Sequence, residues 1–287
     1  MRVAPHGVFA GLCTFDLIQQ VDRLPGPNEK VTADRQEVAA GGPATNAAAT
    51  FAHLGGTATL LTAVGRHPLA AGITADLAAV GVRLVDLASD DPAPPAVSSV
   101  LVTAGTAARS VVSRNAVGRT VRGPDRIGTG DIVLVDGHHP ALARAVLAAH
   151  HGRATTVLDG GSWKPHLPDL LPLVDVAVCS ADLHPPTGEP TLAYLRGSGV
   201  PWVAVTDGPD PVRWAGPAGA GEVPVPPVTA VDTSGAGDVF HGAFAYALAR
   251  AGALDEAVFT AALAFAAGVA ARSCRSFGTR NWMRQGA

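Results

Sequence analysis

The residues best suited to chemistry lie in one run, Val231-Asp232-Thr233-Ser234-Gly235-Ala236-Gly237-Asp238-Val239-Phe240-His241-Gly242. Glycines at 235 and 237 let the backbone approach an anion with no side chain in the way. Residues Ala243 to Ala249 then read as continuous helix, stopped near Gly252. The glycines therefore fall at a helix start, where free N–H groups and the helix dipole attract negative charge. Asp238 sits within a turn of that anion site, where another negative charge is costly unless it serves the reaction. An alcohol attacking a phosphate must lose its proton, and a carboxylate placed there can take it. The run predicts phosphoryl transfer to a hydroxyl.

A second run, Ala40-Gly41-Gly42-Pro43-Ala44-Thr45-Asn46, leads on to Leu54-Gly55. The glycine pair permits a close approach, and Pro43 suits the first turn of a helix. Asn46 offers donors and an acceptor, which suits a diol. Asp16, in Thr14-Phe15-Asp16, adds a carboxylate able to accept two hydroxyl protons, a recognition that an apolar pocket cannot supply.

Together these runs resemble the two signatures of the pfkB (ribokinase-like) carbohydrate kinases, in the same order and over essentially the whole chain. The resemblance implies that the Gly235, Ala236 and Gly237 amides form the anion hole, with Asp238 as catalytic base. It implies Asp16, Gly41, Gly42 and Asn46 as ligands of the sugar hydroxyls, and ATP with Mg2+ as cofactors. Asp232 and Ser234 fall where some relatives bind a monovalent cation such as K+. Thr206 and Gly208 match the family's nucleotide turn, in which Pro211 replaces a later glycine. The family's Asn-x-x-Glu is missing: the aligned stretch is Cys179-Ser180-Ala181-Asp182, which leaves Ser180 as the nucleotide contact and Asp182 or Asp159 as a substitute near Mg2+. His138 follows a strand and so falls at the cleft edge, a candidate substrate contact. Arg109 and Arg114 are candidates for an anionic substrate group.

The fold that the resemblance implies is a three-layer αβα sandwich with a mostly parallel central sheet. It forms one domain over 1–287, with a small β-sheet lid from segments of about 14–40 and 97–115 that also makes a homodimer contact. The residues agree with the sandwich. Strand-like runs (Val8–Leu12, Ala58–Ala63, Ile132–Val135, Thr156–Leu158, Val174–Val178, Trp202–Val205) alternate with helical ones (Thr45–Leu54, Ala70–Val80, Ala141–Ala149), which is the pattern of a parallel sheet flanked by helices. Helices over Val239–Ala251 and Asp255–Ala271 close the chain, the latter with Asp255 as N-cap. The proline-rich stretches 91–95, 185–190 and 209–227 read as loops, as does His150-His151.

Composition narrows the function. The formal net charge of −3 leaves no basic footprint for nucleic acid, and an aromatic content of 5% argues against a base-stacking platform. Neither Lys30 nor Lys164 sits in Gly-x-x-x-x-Gly-Lys, which excludes a P-loop, and no Gly-x-Gly-x-x-Gly follows the first strand. Cys13, Cys179 and Cys274 lack metal-ligand spacing and read as reduced thiols of a cytoplasmic protein. The apolar run at Ala261–Ala271 reads as a core helix too short for a bilayer. The expected activity is ATP-dependent phosphorylation of a primary hydroxyl of a small sugar or sugar derivative, of ribokinase, fructokinase or sulfofructose kinase type. A nucleoside kinase and a non-catalytic sugar-binding relative are the alternatives.

Overall fold

The structure is a computed structural model that describes residues 3–284. The chain opens with β1 (His6–Ala10), β2 (Thr14–Val21) and β3 (Arg35–Gly41), then α1 (Pro43–His53), β4 (Thr57–Thr62), α2 (Pro68–Ala79) and β5 (Val82–Asp86). β6 (Ala96–Thr103) and β7 (Arg109–Ser113) follow, then β8 (Ile132–Val135), α3 (Pro140–His150), β9 (Thr155–Gly160), β10 (Val176–Ser180) and α4 (Thr191–Gly197). The last part holds β11 (Trp202–Asp207), β12 (Asp210–Ala215), β13 (Ala220–Val223), α5 (Ala236–Ala251), α6 (Glu256–Ser273) and α7 (Asn281–Arg284).

Nine strands form the large sheet in the order β13-β12-β11-β10-β9-β8-β1-β4-β5. All neighbours from β11 to β5 run parallel, and only β12 and β13 are antiparallel. Short strands such as β8, Ile-Val-Leu-Val, are buried throughout because helices cover both faces. One face packs on α1, α2, α5 and α6, with Phe9, Phe51, Phe244 and Phe259 at its centre. The other packs on α3 and α4 through Leu142, Leu147 and Leu195. Chain order reverses between β1 and β8, and in open parallel sheets ligands bind beyond the strand ends at such a switch point.

The two segments without helical rhythm form a separate four-stranded sheet, β3-β2-β6-β7. Its inner face carries Asp16, Ile18, Ser98, Val100 and Val102 and meets Phe277 of the C-terminal segment. Its outer face is apolar but exposed. Val38, Leu17, Ser99 and Val112 form one cross-strand row, with Val38 and Val112 exposed at 47% and 77%, and Val97 alongside.

Three sequence expectations need correction. The stretch 209–227 is not all loop, because it contains β12 and β13. Val212 and Trp214 are buried and alternate with exposed Pro211 and Arg213, a period-two pattern that the prolines disguised. Pro211 is tolerated because the ladder with β11 is irregular there. His150 is not in a loop: it ends α3, buried, with its ring nitrogens 2.9 Å from both Val146 O and Gly128 O. Helix α6 extends further than Ala261–Ala271, and by length and composition it could cross a membrane. Its apolar face is occupied instead, with Phe259, Leu263, Ala266 and Ala267 buried in the core against α5. Asp255 caps it as expected, Oδ1 accepting from Val258 N at 2.8 Å.

Candidate active site

At the N-terminal motif, β3 runs into α1 through the glycine pair. Gly42 has φ +94° and Leu12 O against the place a Cβ would take, so only glycine fits. A Cβ on Gly41 would strike the Asp16 carboxylate. Asp16 is 8% exposed and accepts from Thr14 Oγ1 at 2.5 Å. Burial raises its pKa above the ordinary carboxylate value, against the hydroxyls of Thr14 and Ser98. One turn into α1, Asn46 turns its amide across to the second motif.

That motif begins α5 with Gly235 in the left-handed region at φ +70°. Asp232 folds the preceding loop, its Oδ1 accepting from Ser234 N and its Oδ2 from Gly278 N, both at 2.8 Å. Among the described residues the N–H groups of Gly235, Gly237 and Asp238 have no acceptor, whereas Ala236 N donates to Thr233 O at 3.2 Å. Three free amides, those of Gly235, Gly237 and Asp238, thus gather at this helix start, while the Ala236 amide is engaged by the loop. Asp238 lies in the first helical turn, and Asn46 Nδ2 donates to its Oδ2 at 2.7 Å. Burial, with Asp159 next in effect, pushes the Asp238 pKa up to about 7, while Asn46 and His241 pull it down. The two motifs therefore meet directly, and they do so because α1 and α5 touch backbone to side chain at Gly242. A Cβ there would lie against Ala47 O and 2.7 Å from Thr50 Cβ.

Below Asp238, His241 is buried with Nδ1 2.7 Å from Gly237 O and Nε2 3.0 Å from Val178 O. A neutral ring would leave one bare nitrogen facing a carbonyl, so both positions call for the imidazolium. Burial alone would strip its proton, but Asp159, with Oδ2 3.5 Å away, and the two carbonyls raise the pKa above the ordinary value. Asp159 thus serves as the counter-charge of His241, and burial raises its own pKa. Asp182, the other acidic residue of interest, is exposed. Among the described residues no group of three His, Cys, Asp or Glu side chains could hold a metal ion.

Four residues that complete the site carried no role in the sequence reading. Asp136 directly follows β8 at the switch point and accepts from Leu12 N (2.8 Å), Ala44 N (3.2 Å) and His138 N (2.9 Å). Burial works against its charge, yet His138 and these donors hold its pKa well below the ordinary range. A Cβ on Gly11 would collide with this carboxylate, so glycine there is a signal that a sequence motif could carry. His241 stood in the quoted run without a function. Arg280 and Thr279 come from the C-terminal segment, which has no periodicity to announce it. Arg280 is 4% exposed and donates to Asn46 Oδ1 at 2.9 Å, while the Thr279 side chain lies beside Gly235.

Of the remaining sequence candidates, Ser180, Thr206, Gly208 and His138 lie at or just beyond strand ends of the large sheet, while Arg109 and Arg114 belong to the smaller one. Ser180 and Thr206 are register partners at the ends of β10 and β11. Ser180 Oγ accepts from Asp182 N at 3.1 Å, and Gly208 turns the chain at φ +52°. The His138 ring sits over Asp136, with Nδ1 3.2 Å from Oδ1. Arg109 reaches from β7 to Thr233 O at 2.9 Å, so it clasps the loop before α5. Arg114 lies just beyond the end of β7.

Comparison with known proteins gives this arrangement its class, an ATP-dependent carbohydrate kinase. The model of the pfkB family carbohydrate kinases matches residues 6–285, and the chain belongs to that family. A curated ribokinase of Bacillus subtilis (strain 168) is 27% identical over 288 residues, covering 95% of this chain and 94% of the relative. Among solved structures, ribokinase from Giardia lamblia superposes with a TM-score of 0.83 at 17% identity, covering 98% of this chain and 96% of that one. Ribokinase from Arabidopsis thaliana, solved with ribose and ATP, gives 0.71 at 22% identity, covering 96% and 94%. At these identities the two structures speak for the fold.

Proposed function

We propose that this protein transfers the γ-phosphoryl group of ATP to a primary hydroxyl of a small sugar or sugar derivative, with Asp238 as the general base. The observation that carries this reading is the 2.7 Å hydrogen bond from Asn46 to Asp238, which sets a hydroxyl-recognising amide against the one carboxylate at the anion site. Asp16, the Gly41-Gly42 turn and Asn46 hold the sugar hydroxyls, and His138 lies at the rim. Asp238, with a pKa of about 7, is substantially ionised near neutral pH and takes the proton of the attacking hydroxyl. The free amides of Gly235, Gly237 and Asp238 receive the charge that develops on the phosphoryl oxygens, at no cost in reorganisation. Ser180, Thr206 and Gly208 line the nucleotide end.

Among the described residues no side chains form a cage for Mg2+, which suits an ion that arrives on the nucleotide phosphates and keeps its waters. When bound it neutralises phosphate charge. This reading also places a monovalent cation such as K+ beside Asp232. What supports it is that the buried hydroxyls Ser234 Oγ and Thr279 Oγ1 have no hydrogen-bond partner among the described residues. In this reading the smaller sheet is a lid over the sugar, and its exposed outer valines are the face of a homodimer.

The test is Mg-ATP-dependent ADP release across a panel of sugars, sugar acids, sulfosugars and nucleosides, with Asp238→Asn beside the wild type. Turnover on one substrate that falls by about 10²-fold or more in the variant supports the reading. Sugar binding with no turnover on any compound would replace it with a non-catalytic relative.

A further inference from the structure

We propose that Arg280 is a positioning residue for phosphoryl transfer, one that fixes the Asn46 amide so that its NH2 group meets Asp238. The inference rests on reading Asp238 as the general base. The chain of contacts admits one polarity. Arg280 Nη1 is only a donor, so the Asn46 atom 2.9 Å from it must be the carbonyl oxygen. The opposite end, 2.7 Å from a carboxylate oxygen of Asp238, must then be the NH2 group. An Asn side chain without the guanidinium would lose this constraint and could turn its oxygen toward the base, placing two acceptors face to face.

Arg280 is itself held on several sides. Nη2 donates to Ala40 O at 2.6 Å, Nε to Asp76 Oδ2 at 3.3 Å, and its backbone N to Glu37 Oε1 at 3.2 Å. Asp76 also accepts from Ala40 N at 3.0 Å, so β3, α2 and the C-terminal segment are tied around the guanidinium. The relay runs from the last loop of the chain through α1 to the first turn of α5. It is charge-assisted at both ends, cation to amide and amide to carboxylate, which are the stronger class of hydrogen bonds. The other charged groups that act on Asp238 are Asp159 and Asp16, which oppose its ionisation, and His241, which favours it. Asn46 is the neutral group that also favours it, and Arg280 decides whether Asn46 can.

The test compares Arg280→Met and Arg280→Lys with Asp76→Asn, each shown folded by circular dichroism and melting. The Met variant is expected to lose kcat by about 10–100-fold, with the acid limb of the kcat–pH profile moved up by about one pH unit, the share of one hydrogen bond to a carboxylate. The Lys variant is expected to recover part of both, and KM for ATP should hold in each. Asp76→Asn removes the Nε anchor but not the Asn46 contact, so it should lower Tm and leave the acid limb in place. A folded Met variant with a wild-type acid limb overturns the proposal. Should neither variant accumulate, NMR on the wild-type protein decides: the Asn46 side-chain amide protons must titrate with the midpoint of the kcat limb, and pH-independent resonances overturn it. Failure of the underlying reading looks different, because then Asp238→Asn itself would keep its activity.

Discussion

Gly242 is the point at which the two motifs are pressed together, and Gly242→Ala is the perturbation that separates them. The new Cβ would lie 2.7 Å from Thr50 Cβ, against 3.4 Å for an ordinary contact, and closer still to Ala47 O. Neither obstacle is a flexible side-chain end, so α1 and α5 must part by roughly 0.7–1 Å. Asp238 stands one turn before this contact on α5, and Asn46 stands next to Ala47 and one turn before Thr50 on α1. Their 2.7 Å hydrogen bond would open to about 3.5 Å, the limit of a useful interaction. Overpacking costs about 1–3 kcal/mol, but alanine is about 1 kcal/mol better than glycine inside a helix, so net stability falls little. Misplacement of reacting groups by ~1 Å costs about 10²-fold in rate. The variant should therefore melt within a few degrees of wild type while kcat in the ADP-release assay drops about a hundredfold. A variant with kcat within twofold of wild type would refute the claim that this contact sets the geometry of attack.

Asp238→Asn carries a second signature, in stability. The folded pKa of Asp238 is raised to about 7 by burial and by Asp159, so its stabilising share is whole below the unfolded value near 3.8 and is lost as pH rises through 7. The variant should melt several degrees above wild type at pH 8 and level with it at pH 4; equal melting at both would show that no strained charge is buried there. Wild-type kcat should rise through the same window, and a profile flat between pH 6 and 8 contradicts the assignment of the base. Val112→Asp, placed on the outer face of the smaller sheet, should convert a dimer to a monomer in analytical ultracentrifugation without loss of Tm; a wild-type monomer removes the lid interface from the proposal. Replacing K+ by tetramethylammonium should lower kcat several-fold if the Asp232 site takes a cation, and indifference to the exchange argues that Ser234 and Thr279 need none.

The sequence carried the parts of this site that obey local rules. A glycine pair before a proline, a Gly-x-Gly at a helix start and an Asp that caps α6 each act within one turn, so spacing alone exposes them. Arg280 and Asp136 escape such reading because their partners lie far away in the chain, on α1, the turn between β1 and β2, and β3. The two antiparallel strands β12 and β13 were hidden by prolines that an irregular edge tolerates. His241 was visible but unassigned, since its charge depends on two carbonyls and a carboxylate that only the fold gathers. The glycine-bracketed helix start was legible in position, but which of its amides are free depends on how Thr233 turns.

The contact at Gly242 also bears on what the rest of the chain is at liberty to do. Since α1 and α5 register on each other directly, the long stretch between them is not a ruler for the site. The exposed loop 186–190, on the α4 side of the sheet, can lengthen, shorten or be cut without altering the distance between the Asn46 amide and the Asp238 carboxylate. The molecule is in that sense modular: a circular permutant opened in that loop would still bring its two signatures together, now in reversed order along the chain.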